Sequence, residues 1–136
     1  MEHRKTHHSI TMNSKGKTFV VEGPVTTEFF ASLRFDDGLQ TFRLPEQQHK
    51  ALIEVTKSPE CRMIIAREDD LIVGYAVFVY PDPLESWSEA NLDNLLELGA
   101  IEVSKNYRGH GIAKQLLKVA MMDDAMEDYI IITTEY

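Results

Sequence analysis

The sequence is poor in cysteine and has no long apolar segment. Its one thiol, Cys61, forms neither an internal disulfide nor a zinc site, so we expect a reducing compartment. The longest apolar run, Leu71–Val79, has nine residues, whereas a helix that spans a bilayer needs about 20. The basic start at residues 1–5 lacks the apolar stretch of a signal peptide. These absences predict a soluble, cytoplasmic protein.

Positive charge is also scarce. Fourteen lysine and arginine residues stand against 22 acidic ones, which gives a formal net charge of −8. Such a charge argues against a nucleic-acid binder, which needs cations to replace phosphate counterions. The excess of acidic residues lies in residues 69–136, where four bases and 13 acids give a net charge of −9. An anionic ligand bound there must rely mainly on backbone N–H groups, while the acidic surface favours a cationic acceptor such as a lysine side chain.

The length of 136 residues and the 43% hydrophobic content fit one small domain. The first 16 residues show no hydrophobic periodicity and contain His3, His7 and His8. Because no carboxylate or thiol stands at ligand spacing, a flexible polar arm is favoured over half of a metal cluster. We predict a loose arm over residues 1–16 and one domain over residues 17–136.

The rest of the chain alternates strand and helix signals. Thr26 is placed to cap a short helix, and Pro45 suits the first turn of another. The apolar run that starts at Leu71 predicts a central strand buried on both faces. The polar segment Leu84–Asn94 predicts a loop or a short helical turn. In chain order we predict strand Lys17–Val21, helix 27–33, helix Pro45–Lys57, strands Cys61–Arg67, Leu71–Tyr80 and Leu95–Ser104, helix Ile112–Glu127 and strand Tyr129–Thr134, an α+β arrangement.

The most informative segment joins the strand that ends at Ser104 to the helix that begins at Ile112. Gly109 and Gly111 lack the Cβ atoms that would keep a ligand from the backbone, and they permit a positive φ. N–H groups at the positive end of a helix dipole bind phosphate or pyrophosphate. The third glycine of a Rossmann loop and the Gly-Lys-Ser/Thr of a Walker loop are missing. On spacing alone, a tight turn with close helix packing remains an equal alternative.

Residues 108–113, Arg-Gly-His-Gly-Ile-Ala, fit the Arg/Gln-x-x-Gly-x-Gly/Ala loop of the GNAT family of N-acetyltransferases. The preceding strand and the following apolar helix fit as well, so the chain resembles this family. The resemblance implies a central mixed, mostly antiparallel sheet with helices on both faces. It also implies acetyl-CoA as co-substrate and no metal, with the pyrophosphate on the loop amides and the pantetheine arm on the strand backbone. The cofactor-binding residues that it implies are Ile101, Glu102, Val103, Arg108, Gly109, His110, Gly111, Ile112 and Ala113.

A closer likeness, carried by residues 80–89, 96–103 and 121–136, covers essentially the whole chain. These segments resemble a bacterial branch of the family, linked to acetoin and acetate utilisation, that acetylates a lysine of AMP-forming acetyl-CoA synthetase and so inactivates it. The resemblance implies that synthetase as protein partner. Acetylation of a small amine stays open, as does a non-catalytic module that binds acyl-CoA.

Acetyl transfer to a lysine requires a base, because a free lysine has a pKa of about 10.4. Two strand carboxylates, Glu97 and Glu102, are the candidate catalytic groups. Strand alternation places them on opposite faces unless a bulge intervenes. Glu97 is preferred because it lies 11 residues before Arg108, where many members of the family carry a strand glutamate. A base elsewhere in the chain remains the third possibility.

Four other residues have two interpretations each. Cys61 is a buried bystander or, less favoured, a nucleophile without a histidine partner in its segment. His110 is an exposed loop side chain or a donor to a cofactor phosphate. Tyr80 and Trp87 contact a protein substrate or belong to the packing.

Relatives of the family continue past the strand at Tyr129–Thr134 with another helix and two strands, which often carry a tyrosine that acts as general acid. We therefore expect this chain to be an N-terminal portion of a longer enzyme, and Tyr136 is given no such role. An uncovered edge on the last strand favours pairing between chains. We predict that the portion alone forms a homodimer, aggregates or loses activity.

Overall fold

The computed structural model describes residues 4–80 and 94–133. Within them the chain forms a seven-stranded sheet with helices on both faces. The strands are β1 His8–Ser14, β2 Lys17–Gly23, β3 Arg34–Phe35, β4 Arg62–Glu68, β5 Leu71–Val79, β6 Leu95–Val103 and β7 Ile130–Thr133. The helices are α1 Thr27–Ser32, α2 Pro45–Val55 and α3 Ile112–Ala120, with 3₁₀ turns at Lys105–Tyr107 and Asp124–Asp128. No helix in these two stretches is long and apolar enough to cross a membrane.

The strand order confirms the mixed, mostly antiparallel sheet. The main path runs β1-β2-β4-β5-β6-β7, and the short β3 pairs with the start of β5. Successive neighbours from β1 to β6 are antiparallel, whereas β6–β7 and β3–β5 are parallel. In the described part of the chain β7 pairs only with β6, through residues 95–98. Association of two copies through the edge of β7 stays a prediction.

Strand β5 is buried on both faces, as its apolar run predicted. Val73, Ala76 and Phe78 enter the core beneath α3. Ile72, Tyr75 and Val77 enter the second core, beneath α1 and α2. A strand in this position needs apolar side chains at nearly every residue, which is why the run is continuous.

Helix α3 lies close to the sheet because β5 carries a glycine beneath it. A Cβ on Gly74 would stand 3.0 Å from Cγ2 of Ile112 and 3.5 Å from Cδ1 of Leu116. Both side chains are buried at the first two turns of α3. Gly74 therefore sets the distance at which the start of α3, and the loop before it, lies from the sheet.

The expectation of a loose arm over residues 1–16 is wrong for residues 8–14. They form β1, which pairs with β2 from His8–Gly23 to Ser14–Lys17. Side chains of β1 alternate between half-buried and exposed, with only Ile10 and Met12 among them packing against the core. The predicted Lys17–Val21 strand is confirmed and extends to Gly23.

Helix α3 is shorter than the predicted helix Ile112–Glu127, because it ends at Ala120. The turn after the helix contains Asp123, which is buried and forms an ion pair with the buried guanidinium of Arg62. Burial opposes ionisation of Asp123, but hydrogen bonds from the N–H groups of Thr6 (2.8 Å) and Ala125 (3.0 Å), together with Arg62, lower its pKa. The ion pair fixes the turn that follows the helix to the start of β4.

Several sequence predictions fall outside the described residues. They are the loop over residues 84–93, Trp87 within it, and the interpretation of Tyr136. The predicted final strand is confirmed over Ile130–Thr133.

Candidate active site

The loop over residues 108–111, between β6 and α3, is called the glycine loop, and its backbone has the positive φ angles that its glycines predicted. Gly109 has φ 86° and Gly111 has φ 76°, both in the left-handed region. Gly111 is the N-cap of α3 and has no side chain to cap it, and the N–H of Gln115 makes a 3.3 Å bond to the Gly111 carbonyl. The N–H groups of the three residues before Gln115 therefore have no acceptor within the helix. The adjoining cavity of about 250 Å³ is lined by Val103, Tyr107, Arg108, Gly109, Gly111, Ile112, Ala113 and Lys114.

His110 is turned towards the β1–β2 hairpin. Its Nδ1 lies 2.9 Å from Oγ of Ser14, and its ring meets that of Phe19 edge to face at 5.2 Å between centroids. The side chain is half-buried, so it is not the exposed loop group of the first interpretation, while its role as a donor to a cofactor phosphate stays a prediction. The imidazole joins the loop to the hairpin.

A second, larger cavity lies between α2 and the β5–β6 pair. It measures about 700 Å³, and most of its wall is aliphatic. Glu97 lines this cavity and is half-buried. Phe42 and Leu44 belong to the loop over residues 36–44, between β3 and α2, and are 53% and 64% exposed. The cavity is lined by Phe42, Arg43, Gln48, Leu52, Val55, Val77, Val79, Glu97, Gly99 and Ala100.

A β-bulge decides how the two candidate carboxylates are arranged. Leu98 pairs with Phe78 and Ala100 with Val77, so Gly99 is an extra residue without a partner on β5. One inserted residue reverses the alternation beyond it. Glu97 and Glu102, five residues apart, therefore share the face of β6 that is covered by α1 and α2.

Glu102 is 5% exposed and its carboxylate is fully engaged. One oxygen accepts from the backbone N–H of Thr41 at 2.8 Å, and the other accepts from the Tyr75 hydroxyl at 2.7 Å. The Tyr75 oxygen in turn accepts from Gln48, and the Gln48 carbonyl accepts from Arg43 at 2.7 Å. Burial, helped by the bond to Glu102, raises the pKa of Tyr75, so the phenol remains protonated. This series of hydrogen bonds attaches the 36–44 loop to β6.

A second cluster fixes the other end of the 36–44 loop. The Asp36 carboxylate accepts from the N–H of Gly38 at 2.9 Å, from the Ser104 hydroxyl and from the Asn106 amide at 3.2 Å. A Cβ on Gly38 would stand 2.1 Å from Oγ of Ser104. The loop thus lies directly on the end of β6 that leads into the glycine loop. Only a turn signal at Asp36-Asp37-Gly38 was visible in the sequence, which says nothing of these distant partners.

Cys61 and Tyr80 are placed as follows. Cys61 is 4% exposed, and burial raises the pKa of its thiol to about 11. Tyr80 follows the last residue of β5 and is half-buried. The burial of Cys61 agrees with the bystander interpretation.

Lys15 was given no role in the predictions from the sequence. The residue occupies the turn between β1 and β2, and its Nζ lies 3.1 Å from the point where a Cβ on Gly109 would stand. The only local signal was the Ser14-Lys15-Gly16 turn, because the pairing that brings this turn to the loop is distant in sequence.

The chain is similar to known proteins along its whole length. A family model described as the Acetyltransferase (GNAT) family matches residues 28–135. Two proteins called acetoin utilization protein AcuA match over 136 residues, at 54% identity in Bacillus licheniformis and 51% in Bacillus subtilis strain 168. The crystal structure of an acetoin utilization protein from Exiguobacterium sibiricum is similar with a TM-score of 0.93 and 48% identity over 98% of this chain. The chain spans 65% of the two curated relatives and 63% of the crystallised protein.

Proposed function

Because this chain belongs to the acetyltransferase (GNAT) family, we propose that it serves the transfer of an acetyl group from acetyl-CoA to the side-chain amine of a protein lysine. One observation carries the proposal: the glycine loop, with its N–H groups open at the start of α3, continues directly from the strand that holds Glu97 in a largely aliphatic cavity. A site for an anion and a site for a base thus belong to one strand–loop–helix unit.

The spacing along β6 suits coenzyme A. From Val103, beside the loop, to the bulge at Gly99 the strand advances four residues, or about 13 Å. A ligand held by its pyrophosphate at the loop needs an extended arm of that order to bring its reacting group near Glu97. When bound, acetyl-CoA supplies the activated acyl thioester. In the proposal the backbone of Ile101–Val103 borders the arm, and residues 108–113 bind the pyrophosphate through main-chain amides.

Glu97 is the proposed general base. It receives, directly or through one water, the proton that the lysine ammonium must lose before its nitrogen can attack the thioester carbonyl. The nitrogen then bonds to the carbonyl carbon, the carbon–sulfur bond breaks, and a second proton from that nitrogen passes to the departing sulfur, which leaves as the thiol. Glu102 shares the face of Glu97, but its two oxygens already bind Tyr75 and Thr41. Its proposed part is to hold the backbone of β6 and the 36–44 loop in place.

A protein acceptor is favoured over a small amine by the mouth of the 700 Å³ cavity. Phe42 and Leu44 present exposed apolar side chains on the loop that borders it. Such a rim suits the residues that flank a lysine in a folded protein, and the acidic half of the chain suits the lysine itself. Two relatives are named for acetoin utilisation, which agrees with AMP-forming acetyl-CoA synthetase as the proposed acceptor. A reducing cytoplasm is the proposed location.

The test is incubation of AMP-forming acetyl-CoA synthetase with acetyl-CoA and this chain extended to the full length of its relatives, followed by peptide mass spectrometry. We expect a new acetyl-lysine and a loss of synthetase activity, both absent without acetyl-CoA. Binding of CoA without a new acetyl-lysine would move the acceptor to a small amine. Absence of CoA binding would overturn the proposal as a whole.

A further inference from the structure

The β1–β2 hairpin reaches across the sheet to the glycine loop. Two contacts hold it there, the 2.9 Å approach of Ser14 to His110 and the packing of Phe19 on the same imidazole. Between them, Nζ of Lys15 lies 3.1 Å from the Cβ position of Gly109. The ammonium group therefore lies at the surface of the loop, on a hairpin that contacts the loop through Ser14 and Phe19.

Lys15 has no partner for its charge in the part of the chain that the structure describes. Among residues 4–80 and 94–133 it forms no ion pair and no hydrogen bond. Lys17, two residues away, differs, because its Nζ lies 3.5 Å from Glu68 and 5.5 Å from the centre of the Tyr107 ring. Of these two hairpin lysines, only Lys15 has a charge free to meet a ligand.

The turn itself gives no reason for a lysine. Lys15 and Gly16 are its two central residues, with φ 51° and 81°. A turn with two positive φ values favours asparagine, aspartate or glycine at the first position, where lysine has no conformational advantage. What lysine supplies at this position is reach and positive charge.

We propose that Lys15 binds the pyrophosphate of acetyl-CoA, as a cation delivered from the hairpin to the glycine loop. The inference rests on the proposed function. The loop amides supply only partial charges, and the two cations that line the same cavity, Arg108 and Lys114, belong to a half of the chain whose net charge is −9. A full positive charge from the other half forms charge-assisted hydrogen bonds with the phosphate oxygens and offsets that field.

The test uses calorimetric titration with CoA and with 3′-dephospho-CoA, which keeps the pyrophosphate. The variant is Lys15→Asn, because asparagine suits the turn and removes only the charge. Lys15→Arg keeps the charge, and Lys50→Ala, on α2 at the opposite face of the sheet, loses the same charge elsewhere. We expect Lys15→Asn to weaken binding of both ligands by about three- to ten-fold, with unchanged or higher thermal stability.

The outcomes separate this inference from the proposed function. Lys15→Arg and Lys50→Ala should bind as the parent does, and the loss in Lys15→Asn should shrink in high salt. If the parent protein binds CoA and Lys15→Asn binds it equally well, the inference fails while the proposed function stands. If only binding of CoA is weakened, and not that of 3′-dephospho-CoA, Lys15 contacts the 3′-phosphate and the assignment to the pyrophosphate is overturned. If the parent binds neither ligand, the proposed function itself fails.

Discussion

The hydroxyl of Tyr75 on β5 donates a 2.7 Å hydrogen bond to the carboxylate of Glu102 on β6. Both residues are buried, and the same carboxylate receives the N–H of Thr41. The pair therefore joins two neighbouring strands to the loop that borders the larger cavity. A carboxylate bound in this way is poorly placed to collect a further proton, and Glu97 is the proposed base because that residue lines the larger cavity.

Tyr75→Phe should lower the free energy of unfolding by about 1–3 kcal/mol, because Glu102 and Gln48 lose their shared partner in a buried site. Urea unfolding measures the change. Tyr107→Phe is the matched control, since it removes a hydroxyl bound to Glu68 in a half-exposed position and should cost less. Equal losses of unfolding free energy in the two variants would show that the buried hydrogen bonds of Tyr75 stabilise the fold no more than the half-exposed bond of Tyr107.

Glu97→Gln should reduce the rate of acetyl transfer at neutral pH by about 10²- to 10⁴-fold, because an amide accepts no proton from the attacking amine. Single-turnover acetylation measures the rate, and titration with CoA should give unchanged affinity. Glu54→Gln removes the same charge from an exposed ion pair with Lys57 on α2 and should leave the rate as it is. An unaffected rate in Glu97→Gln would move the base to another residue.

Gly111→Ala should weaken CoA binding by about ten-fold or more, since the added methyl group projects from the N-cap of α3 into the proposed pyrophosphate site. In the protein without ligand the cost is only that of the positive φ, about 1 kcal/mol, because no atom lies within 4 Å of the new Cβ. Gly16→Ala carries the same strain at φ 81° with equally open surroundings, and it is the control for the free energy of unfolding alone, because Gly16 adjoins Lys15. Unchanged affinity for CoA in a folded Gly111→Ala variant would contradict a ligand at Gly111.

Cys61 should not react with a chromogenic disulfide reagent in the folded protein at pH 8. Burial raises the pKa of its thiol to about 11, so about one thiol in a thousand is ionised at that pH. Urea should release one reactive thiol per chain. Cys61→Ala should retain acetyl transfer, whereas loss of activity in that well-folded variant would point to a covalent acetyl-cysteine intermediate.

Acid should weaken the fold through Asp123. The pKa of this carboxyl is lower in the folded chain than the unfolded value of about 3.9. Its contribution to stability is therefore complete above pH 4 and is lost as the pH falls through the folded pKa. Urea midpoints measured between pH 7 and pH 3 should fall more steeply for the parent protein than for Asp123→Asn.

At pH 7 the same variant, Asp123→Asn, should be less stable by about 3 kcal/mol or more, because Arg62 is left buried without its counter-charge. Asp128→Asn removes the same charge from an exposed pair with Arg4 and should cost less than about 1 kcal/mol. A comparable cost at both positions would contradict the importance of the buried pair.

Local signals in the sequence predicted the elements that depend on local chemistry. The side chain of Thr26 accepts the N–H of Phe29 and caps α1, and Pro45 is the first residue of α2. The glycine loop was predicted because positive φ and the start of an apolar helix both leave a mark in neighbouring residues. These features need no knowledge of which strands become neighbours.

Features that arise from pairing were missed or left open. Strand β1 has only Ile10 and Met12 as core contacts, so its alternation was too weak to predict a strand. The bulge at Gly99 exists only in relation to β5, and Asp123, in the turn after α3, has its partner Arg62 about 60 residues away. The arrangement of Glu97 and Glu102, and the approach of Lys15 to the loop, follow from these distant contacts.

The β1–β2 hairpin also bears on how a minimal version of this protein should be designed. Deleting residues 1–16 as a dispensable tail would remove β1 and leave β2 as an unpaired edge strand. Such an edge favours aggregation. It would also remove Ser14, the hydrogen-bond partner of His110. A protein that begins at Lys17 would therefore aggregate more readily, and its glycine loop would be held less firmly. Crystallisation and tagging are better planned with these residues retained.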